Sequence, residues 1–340
     1  MLQGGKIMEP GINLILGTMT FGEQVFGTDV RDMLQYFMSL GHTEIDTAYV
    51  YNHGESERLI GAEMGQPGAG SLKIATKVNP RITGRLDKEA VLTQFTESLI
   101  RMNTDHADTL YLHFPDPATP MESALEACAG LYGQGKFRRL GLSNFPAWMV
   151  SQACHICEAH GWMRPSVYEG LYNALSRNAE RELDSALTHY GMSFYAYNPL
   201  AGGILTDKYS GGKGMIQKGR FTYRPNYQQR YWKESYFEAA GRIRNACGPY
   251  DIGVAEAAYR WLAYHSMLKP ERGDGIIIGA SRPAHLKQNM AFLGKGKLPE
   301  DVAQAVEEAW EISRADAPEY FTLYTAPGRQ EGGRPTRRKR

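Results

Sequence analysis

The stretch TEIDTAYVYNHGESERLIGAEM, residues 43–64, contains one full repeat of the pattern that runs through this chain. Its first five residues, 43–47, are a short run around Ile45 that predicts a strand, and residues 56–64 space Leu59, Ile60 and Met64 as one face of a helix. The strand ends on an acid, Asp46, and two tyrosines, Tyr49 and Tyr51, follow before Gly54. An acid closing an apolar strand, with phenols just beyond it, needs a reason.

Reading outward from this unit, the alternation continues on both sides. Strands are predicted at 14–18, 43–47, 72–78, 107–112, 137–143, 166–169, 193–197 and 275–279. Helical spacing lies between them at 29–40, 56–64, 88–102, 120–132, 146–160, 179–190 and 254–265, with Thr28 placed to cap the first. Eight such units predict a (β/α)8 TIM barrel, an α/β fold usually built from about 250 residues. The 340 residues leave extra length in two places: a Gly-, Tyr- and Arg-rich segment at 201–234, a long loop after strand 7, and a C-terminal extension with a helix near 299–314. One barrel domain is expected over 1–324, followed by a basic tail, 325–340, that stays disordered. The doubly wound dinucleotide fold shares the alternation, but no G-x-G-x-x-G follows any strand. Gly130–Lys136 spaces like a phosphate loop, yet Phe137 stands where a Ser or Thr would hold magnesium, and the stretch precedes a strand.

Composition excludes several classes of function. A hydrophobic content of 42% and a charged content of 22% fit a folded globular chain. The net charge of +1 offers no field to gather nucleic acid or an anionic membrane. No apolar run approaches the roughly 20 residues that span a bilayer, and no signal segment is read at the N-terminus, so a cytoplasmic location is expected. Four cysteines suit a reducing compartment. Cys154 and Cys157 form a C-x-x-C inside a helical pattern with no second pair at ligand spacing, so no metal site is read.

In a closed parallel barrel the reactive groups project from the C-terminal ends of the strands. There this chain carries Asp46 and Tyr51 after strand 2, Lys77 at the end of strand 3 and His113 after strand 4. Neighbouring strands lie about 4.8 Å apart, so the four side chains can converge. An ammonium beside a phenol lowers its pKa from about 10 toward the working pH, Asp46 keeps Lys77 charged, and a histidine can hydrogen-bond a carbonyl oxygen. The set suits delivery of a proton to an oxygen gaining charge.

These residues resemble the aldo-keto reductase family, closest to its aflatoxin aldehyde reductase branch. The resemblance covers about residues 13–321 through LGTMTFG, DTAYVY, IATKV, LYLHFPD, GLSNF, YNPLAGGILTDKY and GASRPAHLKQN. It implies NADPH-dependent reduction of an aldehyde or ketone to an alcohol, with Asp46, Tyr51, Lys77 and His113 as the catalytic tetrad and Tyr51 as general acid. It answers the opening question: Tyr51 stands five residues after Asp46 as the family requires, and Tyr49 lines the pocket wall.

The resemblance also implies a seat for NADPH. Ser143 and Asn144 would hold the nicotinamide carboxamide together with Glu169, which stands where relatives have glutamine and, when ionised, can accept but not donate. Tyr197 would stack on the nicotinamide. Asn198, Leu200, Gly202 and Gly203 would line the pyrophosphate. Gly279, Ser281, Arg282 and His285 would meet the adenosine 2′-phosphate, with His285 where many relatives have arginine, and Gln288 and Asn289 would face the adenine. Met19, Phe21, Tyr49, Phe114 and Arg230, with Tyr231 and Trp232, are candidates for the substrate pocket. Thr322 replaces an arginine that ends this branch and helps bind carboxylates, so a neutral carbonyl compound is expected over a carboxylated one. The expected partner is therefore a small-molecule carbonyl substrate, without nucleic acid or membrane, and a homodimer is allowed. Two other readings stay open: a cofactor-binding regulatory subunit with slow or vestigial turnover, as related channel subunits suggest, and a lyase using Lys77 as a Schiff base.

Overall fold

The structure, a computed structural model, describes residues 11–209, 214, 216 and 219–325. Eight strands form: β1 (Asn13–Gly17), β2 (Glu44–Asp46), β3 (Lys73–Val78), β4 (Ala107–Leu112), β5 (Phe137–Ser143), β6 (Val167–Leu171), β7 (Ser193–Tyr197) and β8 (Gly275–Gly279). All pair in parallel and in chain order, and β8 pairs back onto β1 to close the barrel. The expected (β/α)8 TIM barrel is thus the fold.

The period of two along each strand divides the core into two parts. Ile15, Tyr111, Val167, Tyr195 and Ile277 point inward and fill the barrel, while Leu14, Leu16, Leu110 and Leu112 pack outward beneath the helices. Tyr111 on β4 lies opposite Gly141 on β5, and a Cβ at Gly141 would come within 2.3 Å of the Tyr111 ring. Only glycine admits that phenol into the barrel. At the N-terminal end Arg139 spans the interior, its Nη2 3.0 Å from Glu44 and 2.8 Å from Asp108 and its Nη1 3.1 Å from the Tyr195 hydroxyl. These contacts fill the interior at the N-terminal end, opposite the strand ends that carry the candidate residues.

Several sequence expectations are corrected in detail. Thr28 does not cap the first helix; it lies inside Thr28–Ser39, whose N-cap is Gly27 and has no side-chain cap bond. β6 continues two residues past the predicted end, because its ladder with β7 runs on to Leu171. The helix predicted from residue 179 begins at Leu183, after a separate 3₁₀ turn at Asn178–Glu180. The helix Glu234–Cys247 was not among those predicted; it packs along the extension helix Glu300–Ser313. Cys154 and Cys157 are free and buried on Ala147–His160, and burial pushes their thiols up to about 11 and about 12. The tail from residue 326 lies outside the described residues.

The segment after β7 is partly helical, at Arg220–Tyr223 and Asn226–Tyr231, and carries its own aromatic core. Phe221 meets Trp232 at 4.9 Å between ring centroids, and Tyr209 meets Trp232 at 5.1 Å. Arg224 crosses the barrel mouth, giving one bond of 2.6 Å to Glu23 after β1 and another of 2.6 Å to Asn52 after β2.

Candidate active site

The four strand-end residues meet at the C-terminal mouth. Lys77 Nζ lies 2.5 and 2.6 Å from the two oxygens of Asp46, donates to the Thr47 carbonyl at 2.8 Å and reaches the Tyr51 hydroxyl at 3.5 Å. The Tyr51 and His113 rings stand edge to face at 6.0 Å. The turn that presents Tyr51 is an unusual one. Asn52 and His53 both have φ near +50° to +57°, and Asn52 secures this strained turn by donating to the carbonyls of Met19 and Phe21 at 2.9 and 2.6 Å. Beyond it the helix Glu55–Glu63 is docked by Ser56, 2.9 Å from the Thr18 hydroxyl, and by buried Glu57, which accepts from Thr76 at 2.7 Å. Tyr51 is therefore anchored on both sides.

The protonation states follow from burial and charge. Burial disfavours the Lys77 ammonium, but the charge of Asp46 beside it opposes this, and the amine is held protonated above the usual lysine range. For Tyr51 the outcome departs from the sequence expectation. Burial raises the phenol above its ordinary value, Lys77 opposes this, and the negative charge of Asp46 cancels part of what Lys77 contributes. Tyr51 is thus a firmly protonated acid at neutral pH. Burial, then the positive charges of Lys77 and Arg81, push His113 well below the usual histidine range, so its ring is neutral.

Which nitrogen of His113 carries the proton follows from Asn79, a residue the sequence reading did not single out. The Asn79 Oδ1 accepts from the Arg81 backbone N–H at 2.9 Å, which leaves its Nδ2 facing His113 Nδ1 at 3.2 Å. An amide nitrogen only donates, so Nδ1 accepts and the proton sits on Nε2. Asn79 stands two residues after Lys77, on the same strand end, and that position was its only signal.

Glu169, in the middle of β6, also joins the cluster. Its Oε2 lies 3.3 Å from Lys77 Nζ and has no hydrogen-bond partner, although it is buried. Nearby, Asn144 donates through Nδ2 to the His113 carbonyl and to Ser143 Oγ, both at 2.9 Å, and accepts from the Tyr197 hydroxyl at 2.6 Å. Ser143 keeps its own hydroxyl proton free to donate, and Asn144 Oδ1 keeps one lone pair. Thr322 donates its backbone N–H to the Asn144 carbonyl at 3.1 Å, so the extension crosses the same mouth.

The remaining predicted residues divide. Asn198 is tied to the loop, donating to Tyr231 at 3.2 Å and accepting from Tyr227 at 3.1 Å. Leu200 is half-buried against the core. Gly202 is required by that loop, since a Cβ there would meet the Tyr227 ring at 2.9 Å, whereas Gly203, at φ 109°, has open space at its Cβ position. Gly279 likewise faces open space. At the start of the helix Pro283–Leu293, Ser281 Oγ lies 3.0 Å from His285 Nδ1 and Arg282 Nε donates to His285 Nε2 at 2.9 Å. His285 thereby orients both neighbours. Asn289 is buried with its Nδ2 3.4 Å from the Gly279 carbonyl, and Gln288 is exposed.

Four substrate candidates are corrected. Phe21 is fully buried in the hydrophobic core. Tyr49 is taken up by the helix Lys88–Arg101: its hydroxyl donates to Glu97 at 2.5 Å and the Arg101 guanidinium lies 4.1 Å over its ring. Tyr231 is also fully buried, and Trp232 belongs to the loop's aromatic core. Met19 and Phe114 stay partly open, with Phe114 stacked on His113 at 4.8 Å. Arg81, unpredicted, lies 4.2 Å over the Phe114 ring. Arg230 sits over Tyr227 and Tyr231, and neither guanidinium has a carboxylate partner among the described residues. Arg81 and Arg230 are near enough to feel each other's charge.

Comparison with known proteins bears on the family of the chain. A family model described as "Aldo/keto reductase family" matches residues 13–311. Aflatoxin B1 aldehyde reductase member 2 of Homo sapiens is 40% identical over 323 residues, covering 92% of this chain and 90% of that protein. The Mus musculus protein of the same name is 40% identical over 318 residues, covering 90% and 87%. Aflatoxin B1 aldehyde reductase member 4 of Homo sapiens is 39% identical over 318 residues, covering 90% and 96%.

Proposed function

This chain belongs to the aldo/keto reductase family, and from that membership we propose that it reduces an aldehyde or ketone to an alcohol with NADPH, with Tyr51 as general acid. The observation that carries the reading is the contact of Lys77 with the Tyr51 hydroxyl, 3.5 Å, inside a buried cluster at the barrel mouth. A protonated phenol there can give its proton to a carbonyl oxygen as that oxygen gains charge. Lys77, fixed by Asp46, stabilises the phenolate left behind. His113, neutral and protonated on Nε2, donates to the same oxygen and orients it.

The residues present fit a nicotinamide dinucleotide phosphate. Ser143 with a free hydroxyl proton, Asn144 with a free lone pair and Glu169 with an unpartnered buried oxygen offer what a carboxamide needs. Tyr197, anchored through Asn144, would stack on the nicotinamide, and Asn198, Leu200 and Gly203 would follow the pyrophosphate. The N-terminal end of the helix Pro283–Leu293, which no side chain caps, suits a phosphate together with Ser281, Arg282 and His285. Gln288 and Asn289 would meet the adenine. When bound, the nicotinamide supplies the hydride that reduces the carbonyl carbon. At the substrate end Met19 and Phe114 are apolar while Arg81 and Arg230 are cationic, which suits an aromatic carbonyl compound with an electron-withdrawing or anionic substituent.

The test is the loss of NADPH absorbance with 4-nitrobenzaldehyde, run in parallel with NADH. Turnover with a preference for NADPH is expected. Cofactor binding without turnover of any aldehyde or ketone would overturn the assignment.

A further inference from the structure

Three buried ionisable groups lie together in the site, and their charges do not balance. Asp46 and Glu169 are both carboxyl groups, 4% and 3% exposed, and they share one ammonium, Lys77. His113 is neutral and adds no positive charge. If both carboxyls were ionised, the cluster would hold an uncompensated negative charge away from water, which a protein avoids by taking up a proton. The geometry says where that proton goes. Asp46 has both oxygens within 2.6 Å of Lys77, whereas Glu169 reaches the ammonium with one oxygen at 3.3 Å and leaves that oxygen without a hydrogen bond.

We propose that Glu169 is a positioning residue held as an uncharged carboxylic acid, and that its ionisation draws Lys77 away from Tyr51. As an acid it has an O–H to donate, the capacity an ionised carboxylate lacks. As a carboxylate it would be a second counter-ion for Lys77, competing with the phenol that shares the ammonium at 3.5 Å. Burial first, then the charge of Asp46, raise the Glu169 carboxyl well above its ordinary value, with Lys77 in opposition. The groups that face it are Asp46 from β2, Tyr51 from the turn after β2, Lys77 from β3, Tyr111 from β4, Tyr168 from its own strand and Tyr197 from β7. β5 presents Ser143 at its register, and β8 has no ionisable residue. Lys77 is therefore the sole cation among them.

The proton itself can be measured without any turnover. The infrared spectrum of the wild-type protein without added nucleotide should show the C=O stretch of a protonated carboxyl at neutral pH, absent in Glu169→Gln. A wild-type band that shifts with 13C-labelled aspartate and not with 13C-labelled glutamate places the proton on Asp46 and overturns the assignment, as does a wild-type spectrum with no such band. Thermal or urea stability gives a second readout. A carboxyl protonated in the folded chain and ionised in the unfolded one makes the wild type lose stability as pH rises above the ordinary glutamate range, about tenfold in the unfolding equilibrium per pH unit. Glu169→Gln lacks this slope, so the two curves should separate as pH rises toward the native value and then run parallel. A gap of the opposite sign, opening as pH falls, would mean an ionised, salt-bridged Glu169. If the variant does not fold, titrating the wild-type band still decides: it should fade at alkaline pH. The link to Tyr51 rests on the carbonyl-reduction reading, and there the alkaline fall of kcat should move upward in Glu169→Gln. An enzyme inactive on all carbonyl substrates would remove that reading and leave the infrared result standing.

Discussion

Asn79 shows how much of this site is set by a residue with no catalytic chemistry of its own. One end of its amide is committed to the Arg81 backbone, so the other end must donate to His113 and thereby fixes the proton on Nε2. Asn79→Asp keeps the acceptor and replaces the donor with a second acceptor, which forces the proton onto Nδ1 and leaves Nε2 unable to donate. The expected result is a fall in kcat of roughly 100-fold, in the range of a lost positioned donor. Nitrogen NMR of the His113 ring should show protonation move from Nε2 to Nδ1. A variant with unchanged kcat and the proton still on Nε2 would contradict the account. At this scale the sequence was informative about charge and reach but not about tautomer. Asp46, Tyr51, Lys77 and His113 could be picked from strand ends alone, because the barrel dictates where reactive groups sit. The net effect on Tyr51 could not be read: the expectation weighed Lys77 alone, whereas burial, aided by the charge of Asp46, prevails. Tyr49 and Phe21 failed for a related reason, since position along the chain says nothing about which way a loop side chain turns.

Among elements, the helix Glu55–Glu63 decides how Tyr51 is held. It follows directly on the turn at Tyr51–Gly54, and it lies so close to the chain after Lys88–Arg101 that a Cβ at Gly61 would come within 2.2 Å of the Arg101 carbonyl oxygen. That neighbour is backbone and cannot swing aside. Gly61→Ala should therefore destabilise the protein by about 1–3 kcal/mol, the usual penalty for overpacking, instead of the modest gain that alanine brings to an open helix. A urea titration would measure it, and an unchanged midpoint would show that the two elements have room to separate. The existence and order of elements were legible because alternation between periods of two and 3.6 is strong in this chain. Ends were less so. Thr28 looked like a cap because threonine often is one, yet Gly27, at φ 55°, starts the helix instead. The start of the helix Glu234–Cys247 is masked by the irregular segment before it, although Tyr236, Phe237, Ala240 and Ile243 are spaced helically.

For the whole molecule, the barrel gathers at one mouth groups that are far apart in sequence: Tyr51 and Lys77 from early strands, Glu169 and Tyr197 from later ones, and Thr322 from the extension. Arg139 and its partners fill the interior at the N-terminal end, opposite the site. Arg224, bonded to Glu23 and Asn52, ties the long segment after β7 to the loops after β1 and β2, so the rim behaves as one connected structure. Closure of this kind depends on contacts across 172 and 201 residues of chain, and no local pattern encodes them. The motifs gave the parts of the site; the fold alone gave their spacing. The central claim is that the phenol beside Lys77 delivers the proton, and Tyr51→Phe tests it most directly, because it removes one oxygen and leaves the ring. NADPH affinity, read by quenching of protein fluorescence, and turnover of 4-nitrobenzaldehyde should be measured on the same preparation. Binding within a few-fold of wild type with turnover lost by at least about 100-fold is the predicted result. Turnover equal to the wild type with binding intact would contradict it.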